Sequence, residues 1–287
     1  MSADALEKLS VLTNPCKLCP RTCLVKRKEG RLGYCGIGFE PSVSSAGPHF
    51  GEEPVLVGTG GSGTIFFAGC NLRCVFCQNY DISHFRHGET ISIEQLAQIM
   101  LSLQRQGCIN INLVSPSHVA WQAASAIEIA RKEGLNLPVV YNTGGYDSIE
   151  TLKLLEDFVD IYMPDMKYAD DAAAAKYSDA KDYPQINFAA VTEMHRQKGD
   201  LVIKNGIAVK GLLVRHLVLP NNLAGGKKII DFLADEVSAS TFINIMAQYK
   251  PCYQAAGHPE LNQLPDCKYI DELRSYAVSR GLRGLVD

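Results

Sequence analysis

The chain has little net charge, no long apolar run and no export signal, and each of these absences excludes a class of protein. Its formal net charge is −3 over 287 residues, so no broad basic surface favours nucleic acid as a partner. No apolar run approaches the length of a membrane span, and the first residues lack the apolar core of a signal peptide. The composition, 46% hydrophobic and 21% charged, is typical of a globular protein with a sizeable core. We therefore expect a cytoplasmic protein that binds neither a membrane nor nucleic acid.

Cysteine, in contrast, is abundant, with ten residues in the chain. Without an export signal, such residues are more often metal ligands than disulfides. Three of them, Cys70, Cys74 and Cys77, stand in the run Gly-Cys-Asn-Leu-Arg-Cys-Val-Phe-Cys-Gln. Three thiolates can hold three irons of a 4Fe–4S cluster and leave the fourth iron open to a ligand. Zinc usually takes four ligands from two short pairs, so this spacing indicates an iron–sulfur enzyme.

A second set of cysteines, Cys16, Cys19, Cys23 and Cys35, lies nearer the N-terminus. Prolines and glycines interrupt this segment, and a bound metal would supply the folding energy that so small a module lacks. Structural zinc with four thiolates is one interpretation, an auxiliary 4Fe–4S cluster is a second, and thiols without metal are a third. Basic residues crowd the same segment, as a docking surface for an acidic electron donor or as an ordinary solvated face; they are Lys17, Arg21, Lys26, Arg27, Lys28 and Arg31.

From Gly63 onward, short β-rich apolar runs alternate with helical patterns six times. This alternation predicts an α/β fold with a parallel sheet and helices outside it. The Asn205-Gly206 pair between two apolar runs predicts a hairpin. Functional residues are expected at the C-terminal ends of the parallel strands. We divide the chain into a cysteine-rich extension (1–54), the strand–helix region (55–250) and a C-terminal loop and helix (251–287).

The Cys70–Cys77 spacing, with the aromatic Phe76 before the last cysteine, resembles the signature of the radical S-adenosylmethionine (SAM) superfamily. Longer strings resemble pyruvate formate-lyase activating enzyme-related proteins; they are Cys-x-Leu-Cys-Pro-Arg-x-Cys, Tyr-Asn-Thr-x-Gly-Tyr, Asp-Ile-Tyr-x-Pro-Asp and Val-Arg-His-Leu-Val-Leu-Pro. The resemblance implies a partial (β/α)₆ barrel, a 4Fe–4S cluster and SAM as cofactors, and flavodoxin or ferredoxin as electron donor. It also implies a glycyl radical enzyme as the partner and, because the cluster is oxygen-labile, anaerobic or microaerobic conditions.

The same resemblance implies a set of SAM contacts at the strand ends. Asp165 and Lys167 match the last two residues of an Asp-x-x-x-x-Asp-x-Lys stretch that lies beside SAM, and Asn142 stands where activating enzymes carry an Asp. Phe76 fills the aromatic slot of the signature. The hydroxyl of Ser115 could accept from the SAM ammonium, while the nearby Ser117 is either a second such group or only a helix cap.

Three further residues are weaker candidates for contact with SAM or substrate. Arg215 and His216 are neighbours within an apolar strand, so one is expected to point into the barrel and the other outward. For His216 a buried structural role is the alternative. Gln248 follows the sixth strand, where activating enzymes carry a histidine.

Three functions remain compatible with the sequence. The first is reductive cleavage of SAM for hydrogen-atom abstraction, with activation of a glycyl radical enzyme as the resulting oxidoreductase activity. The second is radical chemistry on a small molecule or another macromolecule, and the third is a non-catalytic electron-transfer protein. Activating enzymes with extra cysteines carry them after the SAM triad, whereas here the extra set comes before it.

Overall fold

The computed structural model describes residues 2–285, and its centre is one curved sheet. Within those residues the chain forms ten strands, which are β1 (Ser42–His49), β2 (Ser62–Phe67), β3 (Glu89–Thr90), β4 (Ile111–Val114), β5 (Val139–Thr143), β6 (Ile161–Pro164), β7 (Val202–Lys204), β8 (Ile207–Leu217), β9 (Phe242–Met246) and β10 (Arg283–Leu285). Strands β2, β4, β5, β6, β8 and β9 lie side by side and parallel, in that order. These are the six predicted strands, so the predicted α/β architecture is confirmed.

Helices connect the parallel strands. Within residues 2–285 the α-helices are α1 (Ser2–Val11), α2 (Pro54–Val57), α3 (Tyr80–Ser83), α4 (Ile93–Arg105), α5 (Ala120–Lys132), α6 (Ile149–Leu155), α7 (Asp171–Ser178), α8 (Tyr183–Lys198), α9 (Gly226–Phe232) and α10 (Cys267–Ser279). Helix α4 begins with a capping box, in which the Ser92 side chain accepts from the Gln95 amide and Gln95 bonds back to the Ser92 amide. Short helical turns complete the connections; they cover Arg27–Glu29, Pro116–Val119, Pro220–Asn222, Leu233–Val237 and Ala255–Gly257.

The sheet extends beyond the six parallel strands on both sides. Strand β1 pairs antiparallel with β2, β3 pairs antiparallel with β1, and β10 pairs parallel with β9. Two of these outer strands come from segments outside the predicted strand–helix region, since β1 lies within residues 1–54 and β10 within residues 251–287, whereas β3 lies inside it. The predicted hairpin is present as β7 and β8, with both Asn205 and Gly206 at positive φ.

Side chains alternate between two surroundings along the parallel strands. Tyr141 and Val214 belong to the apolar layer shared with the outer helices, whereas their neighbours Val140 and Leu213 pack around Leu56 of α2. Helix α2 therefore fills the lower part of the barrel interior. The next inward positions, Asn142 and Arg215, are polar, so the upper interior is a polar site above an apolar floor.

The cysteine-rich N-terminal segment packs on the outside of this barrel. Helix α1 lies against α5 and α6, and the hydroxyl of Thr151 in α6 donates to the Leu18 carbonyl at 2.8 Å. No helix among residues 2–285 is both long and apolar enough to cross a membrane.

Candidate functional site

A cavity of about 150 Å³ lies at the C-terminal ends of the parallel strands, where the fold predicts a site. Its walls combine the loop after β2 with the exits of β4, β5, β6 and β8. Among its lining residues are Cys70, Leu72, Cys74, Cys77, Ser115, Asn142, Thr143, Gly144, Asp165, Lys167 and Arg215. All three cysteines of the predicted triad and five of the other predicted site residues thus share one cavity.

The sulfur of each triad cysteine has a polar neighbour. The Leu72 amide donates to Cys70 Sγ at 3.4 Å, the Ser178 hydroxyl donates to Cys74 Sγ at 3.0 Å, and Cys77 Sγ lies 3.2 Å from the Ser83 hydroxyl. Burial raises the pKa of the Cys70 thiol to about 12, and burial followed by Cys74 raises that of Cys77. The thiols of Cys70 and Cys77 would therefore be protonated in the absence of a cation, and binding a metal would release their protons.

Three charged side chains face the sulfurs. Asp165 accepts from Lys167 Nζ at 2.6 Å and from Arg215 Nε at 3.0 Å. Burial alone would raise the pKa of Asp165, but Arg215 and Lys167 outweigh it and lower that pKa. Burial opposes the charge of Lys167, yet Asp165 and then Cys74 raise its pKa above the usual value. Carboxylate and ammonium therefore both stay ionised beside the cysteines.

The structure adds two residues that the sequence did not single out, Glu52 and Glu53. Glu52 Oε1 lies 3.4 Å from Arg215 Nη1, and its Oε2 accepts from the Asn112 amide at 2.8 Å. Glu53 accepts through both oxygens from the Asn244 side chain, at 2.9 and 3.0 Å. Burial raises the pKa of Glu53. These carboxylates precede α2 and lie near Arg215, between it and the apolar floor.

Asn142 is part of the same network, because its Oδ1 accepts from Arg215 Nη2 at 2.7 Å and its Nδ2 donates to Glu52 at 3.3 Å. The negative charge that an Asp would bring to position 142 is thus supplied nearby by Glu52. The site is a compensated group of charges, which can bind a ligand that carries both a positive and a negative charge.

The loop after β5 leaves room in the cavity. A Cβ on Gly144 would lie 3.1 Å from Leu72 Cδ1 and 3.7 Å from Lys167 Cε. A side chain there would therefore enter the space between Lys167 and the loop after β2, which carries Cys70, Cys74 and Cys77 and is called the cysteine loop below. Gly145, at φ +76°, would bring a Cβ within 2.1 Å of the Asp165 carbonyl, which only glycine avoids.

Ser115 and Ser117 differ in their surroundings. Ser115 lines the cavity in a left-handed conformation (φ 60°), and its amide donates to the Asn142 carbonyl at 2.8 Å. Ser117 is buried inside the helical turn Pro116–Val119, with its hydroxyl 3.0 Å from that of Thr143. The helix-cap interpretation of Ser117 is therefore wrong, because a residue within the turn bonds across to β5 instead.

Three predicted contacts lie elsewhere in the described chain. His216 is fully buried on the helix-facing side of β8, with Nδ1 2.8 Å from the Met166 carbonyl, and Arg215 is the member of the pair that faces the cavity. Gln248 is exposed after β9. Phe76 packs edge-to-face on Tyr249, with ring centroids 5.8 Å apart. It is therefore a packing residue of the cysteine loop and does not line the cavity.

The N-terminal cysteines belong to the segment that packs against the outside of the loop after β2, where the Cys35 carbonyl lies beside Gly69. Cys16, Cys19 and Cys35 are buried and Cys23 is partly exposed. Burial raises the pKa of Cys19 to about 12. Within residues 2–285 no three His, Cys, Asp or Glu side chains are already gathered for a single metal ion. A 4Fe–4S cluster binds each thiolate to a different iron, so its ligands, including those of the triad, do not have to surround one metal ion.

The basic residues of this segment do not form one surface. Arg27 is buried, and Arg21 is half-buried, with its guanidinium 3.9 Å from the centre of the Tyr34 ring and its Nε donating to the Asn71 carbonyl at 2.7 Å. Arg73, which lies in the cysteine loop, also contacts Tyr34, because its guanidinium donates to the Tyr34 carbonyl. Two of the predicted surface cations therefore serve internal contacts, while the others of the run remain exposed.

Comparison with known proteins assigns the family. The sequence pattern of the Radical SAM superfamily matches residues 64–223, more than half of the chain. The chain belongs to the radical SAM superfamily. The family implies a 4Fe–4S cluster, SAM and an electron donor. The lining of the cavity suits the cluster and SAM, because three thiols lie across from a group of mixed charge and Gly144 leaves the space between them open.

Two curated relatives extend over nearly the whole chain. The uncharacterized protein MJ0674 of Methanocaldococcus jannaschii is 33% identical over 95% of this chain and 77% of its own length. A second protein of that organism, the uncharacterized protein MJ0808, is 26% identical over 96% of this chain and 81% of its own.

Among solved structures, a radical SAM methyltransferase from Sphaerobacter thermophilus matches with a TM-score of 0.56. The match covers 78% of this chain and 65%, less than two thirds, of that one. At 14% identity the likeness shows a shared radical SAM fold.

Proposed function

We propose that Cys70, Cys74 and Cys77 hold a site-differentiated 4Fe–4S cluster and that the adjoining cavity binds SAM. The observation that carries this proposal is that the three sulfurs, Lys167 and Asp165 line one cavity. A reduced cluster of this type supplies one electron to SAM, which breaks into methionine and a 5′-deoxyadenosyl radical able to abstract a hydrogen atom.

The residues of the cavity suit the charges of SAM. Lys167 Nζ, a charge held in place by Asp165, is placed to receive the methionine carboxylate. Asp165 offers negative charge to the sulfonium or hydrogen bonds to the ribose hydroxyls. Carbonyl oxygens beside Ser115 and Gly144 can accept from the ammonium. Arg215, bound to Asp165, Asn142 and Glu52, positions this group from below.

For the substrate, we propose a glycine of a partner glycyl radical enzyme. Hydrogen transfer from its Cα would give 5′-deoxyadenosine and a stable glycyl radical. The support is the series of strings shared with pyruvate formate-lyase activating enzyme-related proteins. The cysteine set before the triad, which activating enzymes do not carry there, favours the second candidate: radical chemistry on a small molecule or another macromolecule.

The test of the cofactor assignment is SAM cleavage after anaerobic reconstitution with iron and sulfide. We expect dithionite-dependent 5′-deoxyadenosine in the wild type and in Cys267→Ala, whose cysteine is exposed and outside both sets, but none in Cys74→Ala. Cleavage by Cys74→Ala at the wild-type rate would contradict the assignment.

The substrate candidates are separated by electron paramagnetic resonance (EPR). Mixing the reduced protein and SAM with a glycyl radical enzyme from the same source is expected to give the glycyl radical doublet. Absence of the doublet, together with 5′-deoxyadenosine formation stimulated by a metabolite, would favour the second candidate.

A further inference from the structure

Arg27 is a permanent cation buried at 2% exposure. Its Nη1 donates to the His118 carbonyl at 2.7 Å and its Nη2 donates to Cys35 Sγ at 3.2 Å. Its Nε has no hydrogen-bond partner, and no ion pair joins Arg27 to a carboxylate of residues 2–285. A buried charge without a counter-ion is strongly destabilising, so a compensating anion is expected beside it.

The groups beside Arg27 that can become anionic are cysteines. Cys35 touches it directly, and Cys23 lies just beyond, since a Cβ on Gly33 would be 3.0 Å from Cys23 Sγ and 3.8 Å from Arg27 Nη2. Neutral thiols would leave the cation uncompensated, whereas thiolates held by a metal would not.

The backbone around Cys23 is also constrained. Its two neighbours, Thr22 and Leu24, both adopt positive φ, at 40° and 56°. A β-branched and a bulky residue rarely occupy this region, and such strain persists where the surroundings require it, commonly at binding sites. The chain is thus bent on both sides of the one cysteine of the set that is not buried.

We propose that Cys16, Cys19, Cys23 and Cys35 bind a metal centre as thiolates, and that Arg27 is the buried counter-ion of that centre. Four thiolates around one zinc ion or one 4Fe–4S cluster leave a net negative charge. The guanidinium compensates this charge from inside the protein. The proposal concerns residues outside the SAM cavity and does not depend on SAM cleavage.

Arg27 also contacts a residue that packs against the start of the cysteine loop. The ring of His118, whose carbonyl accepts from Arg27, has its Nε2 2.9 Å from the Ala68 carbonyl. The next residue, Gly69, would bring a Cβ within 2.7 Å of the Cys35 carbonyl. The N-terminal centre therefore borders the loop that begins with Cys70.

The first experiment isolates the N-terminal metal by replacing Cys70, Cys74 and Cys77 together with alanine. We expect this triple variant, after anaerobic reconstitution, to retain either zinc or iron with equal sulfide, and the further change Cys19→Ser to remove it. Zinc or iron identifies the metal, and both support the proposal. A triple variant with no metal above the Cys19→Ser background would overturn it. Failure of the SAM proposal would appear separately, as lack of iron bound by the triad.

The second experiment compares Arg27→Met and Arg27→Lys in the triple variant, with and without the metal. If Arg27 is a counter-ion, Arg27→Met weakens metal binding in chelator competition by on the order of tenfold or more, and Arg27→Lys restores part of it. In the metal-free protein Arg27→Met is expected not to lower the unfolding midpoint, because it removes an uncompensated charge.

A merely structural Arg27 would give a different pattern. Both the metal-free and the loaded protein would then lose stability equally, with metal affinity unchanged, and this result would overturn the counter-ion role. If the metal-free variants do not fold, chelator competition on the loaded Arg27→Lys and Arg27→Met proteins still decides, since equal affinities contradict the proposal.

Discussion

The triad cysteines lie in the loop after β2, the N-terminal cysteines lie in the segment that packs against the outside of that loop, and the two sets differ in what faces their sulfurs. The triad faces a cavity with side chains of both charges, among them Lys167 and Asp165. The N-terminal set faces the buried cation Arg27 and the outside of the barrel. Three ligands beside an open, mixed-charge cavity suit a centre that binds a reactant, whereas four ligands with an internal counter-ion suit an enclosed centre.

The largest effect that separates the two sets is expected from Lys167→Met. Removal of the ammonium leaves Asp165 and the SAM carboxylate without their shared partner, so SAM cleavage should fall about a hundredfold, or roughly 3 kcal/mol. Metal at the N-terminal set should be unchanged. The matched control is Lys176→Met, which removes an exposed lysine paired with Glu260 and should change cleavage little. Equal losses in both variants would mean that Lys167 has no special role.

A smaller effect is expected from filling the cavity. Gly144→Val places a branched side chain between Leu72 and Lys167 and should raise the KM for SAM about tenfold, within the range of overpacking costs. The control is Gly47→Val in β1, where a Cβ would have no atom of residues 2–285 within 4 Å. An unchanged KM in Gly144→Val would place SAM elsewhere.

The smallest effect concerns His118, which lies between the two sets. Burial, and then the proximity of Arg27, lowers the pKa of this imidazole to about 3. Because the folded pKa lies below the unfolded value of 6.5, His118 destabilises the fold only as pH falls below that value, at up to about 1.4 kcal/mol per pH unit. Between pH 7.5 and 6 this amounts to less than about 1 kcal/mol, and unfolding by urea over that range should show a shallower loss of stability in His118→Gln.

His118→Gln keeps a donor for the Ala68 carbonyl, and the exposed His87→Gln controls for removal of an imidazole. The measurement is made on the variant that lacks the triad cysteines, so that loss of the triad cluster in acid does not contribute. If the stability of this variant falls equally with pH with and without His118→Gln, then His118 is protonated to the same extent in the folded and unfolded states, which would contradict the prediction.

The sequence predicts the parts of this molecule whose signals are local. The six strands, the capping box at Ser92 and the Asn205-Gly206 hairpin follow from periodicity and turn residues. The triad, Asp165 and Lys167 follow strands directly, so their meeting at one end of the sheet is foreseeable. The choice between Arg215 and His216 needed the strand's orientation, which the structure supplies.

Residues that act across long sequence distances could not be found in this way. Glu52 contacts Arg215 only because α2 folds back into the barrel. No sequence pattern near Glu52 predicts that this segment enters the barrel. Arg27 stands among exposed lysines in the sequence, and its burial depends on contact with His118. Gln248 is exposed after β9 and Ser117 lies inside a helical turn, so neither residue lines the cavity.

The central claim, an open iron at the triad beside a SAM cavity, is tested most directly by EPR of the reduced protein with and without SAM. SAM is expected to shift the spectrum of the triad cluster in the wild type and in Cys19→Ser, and to have no effect in Lys167→Met at the same concentration. A triad cluster whose spectrum does not change when saturating SAM is added would contradict the account.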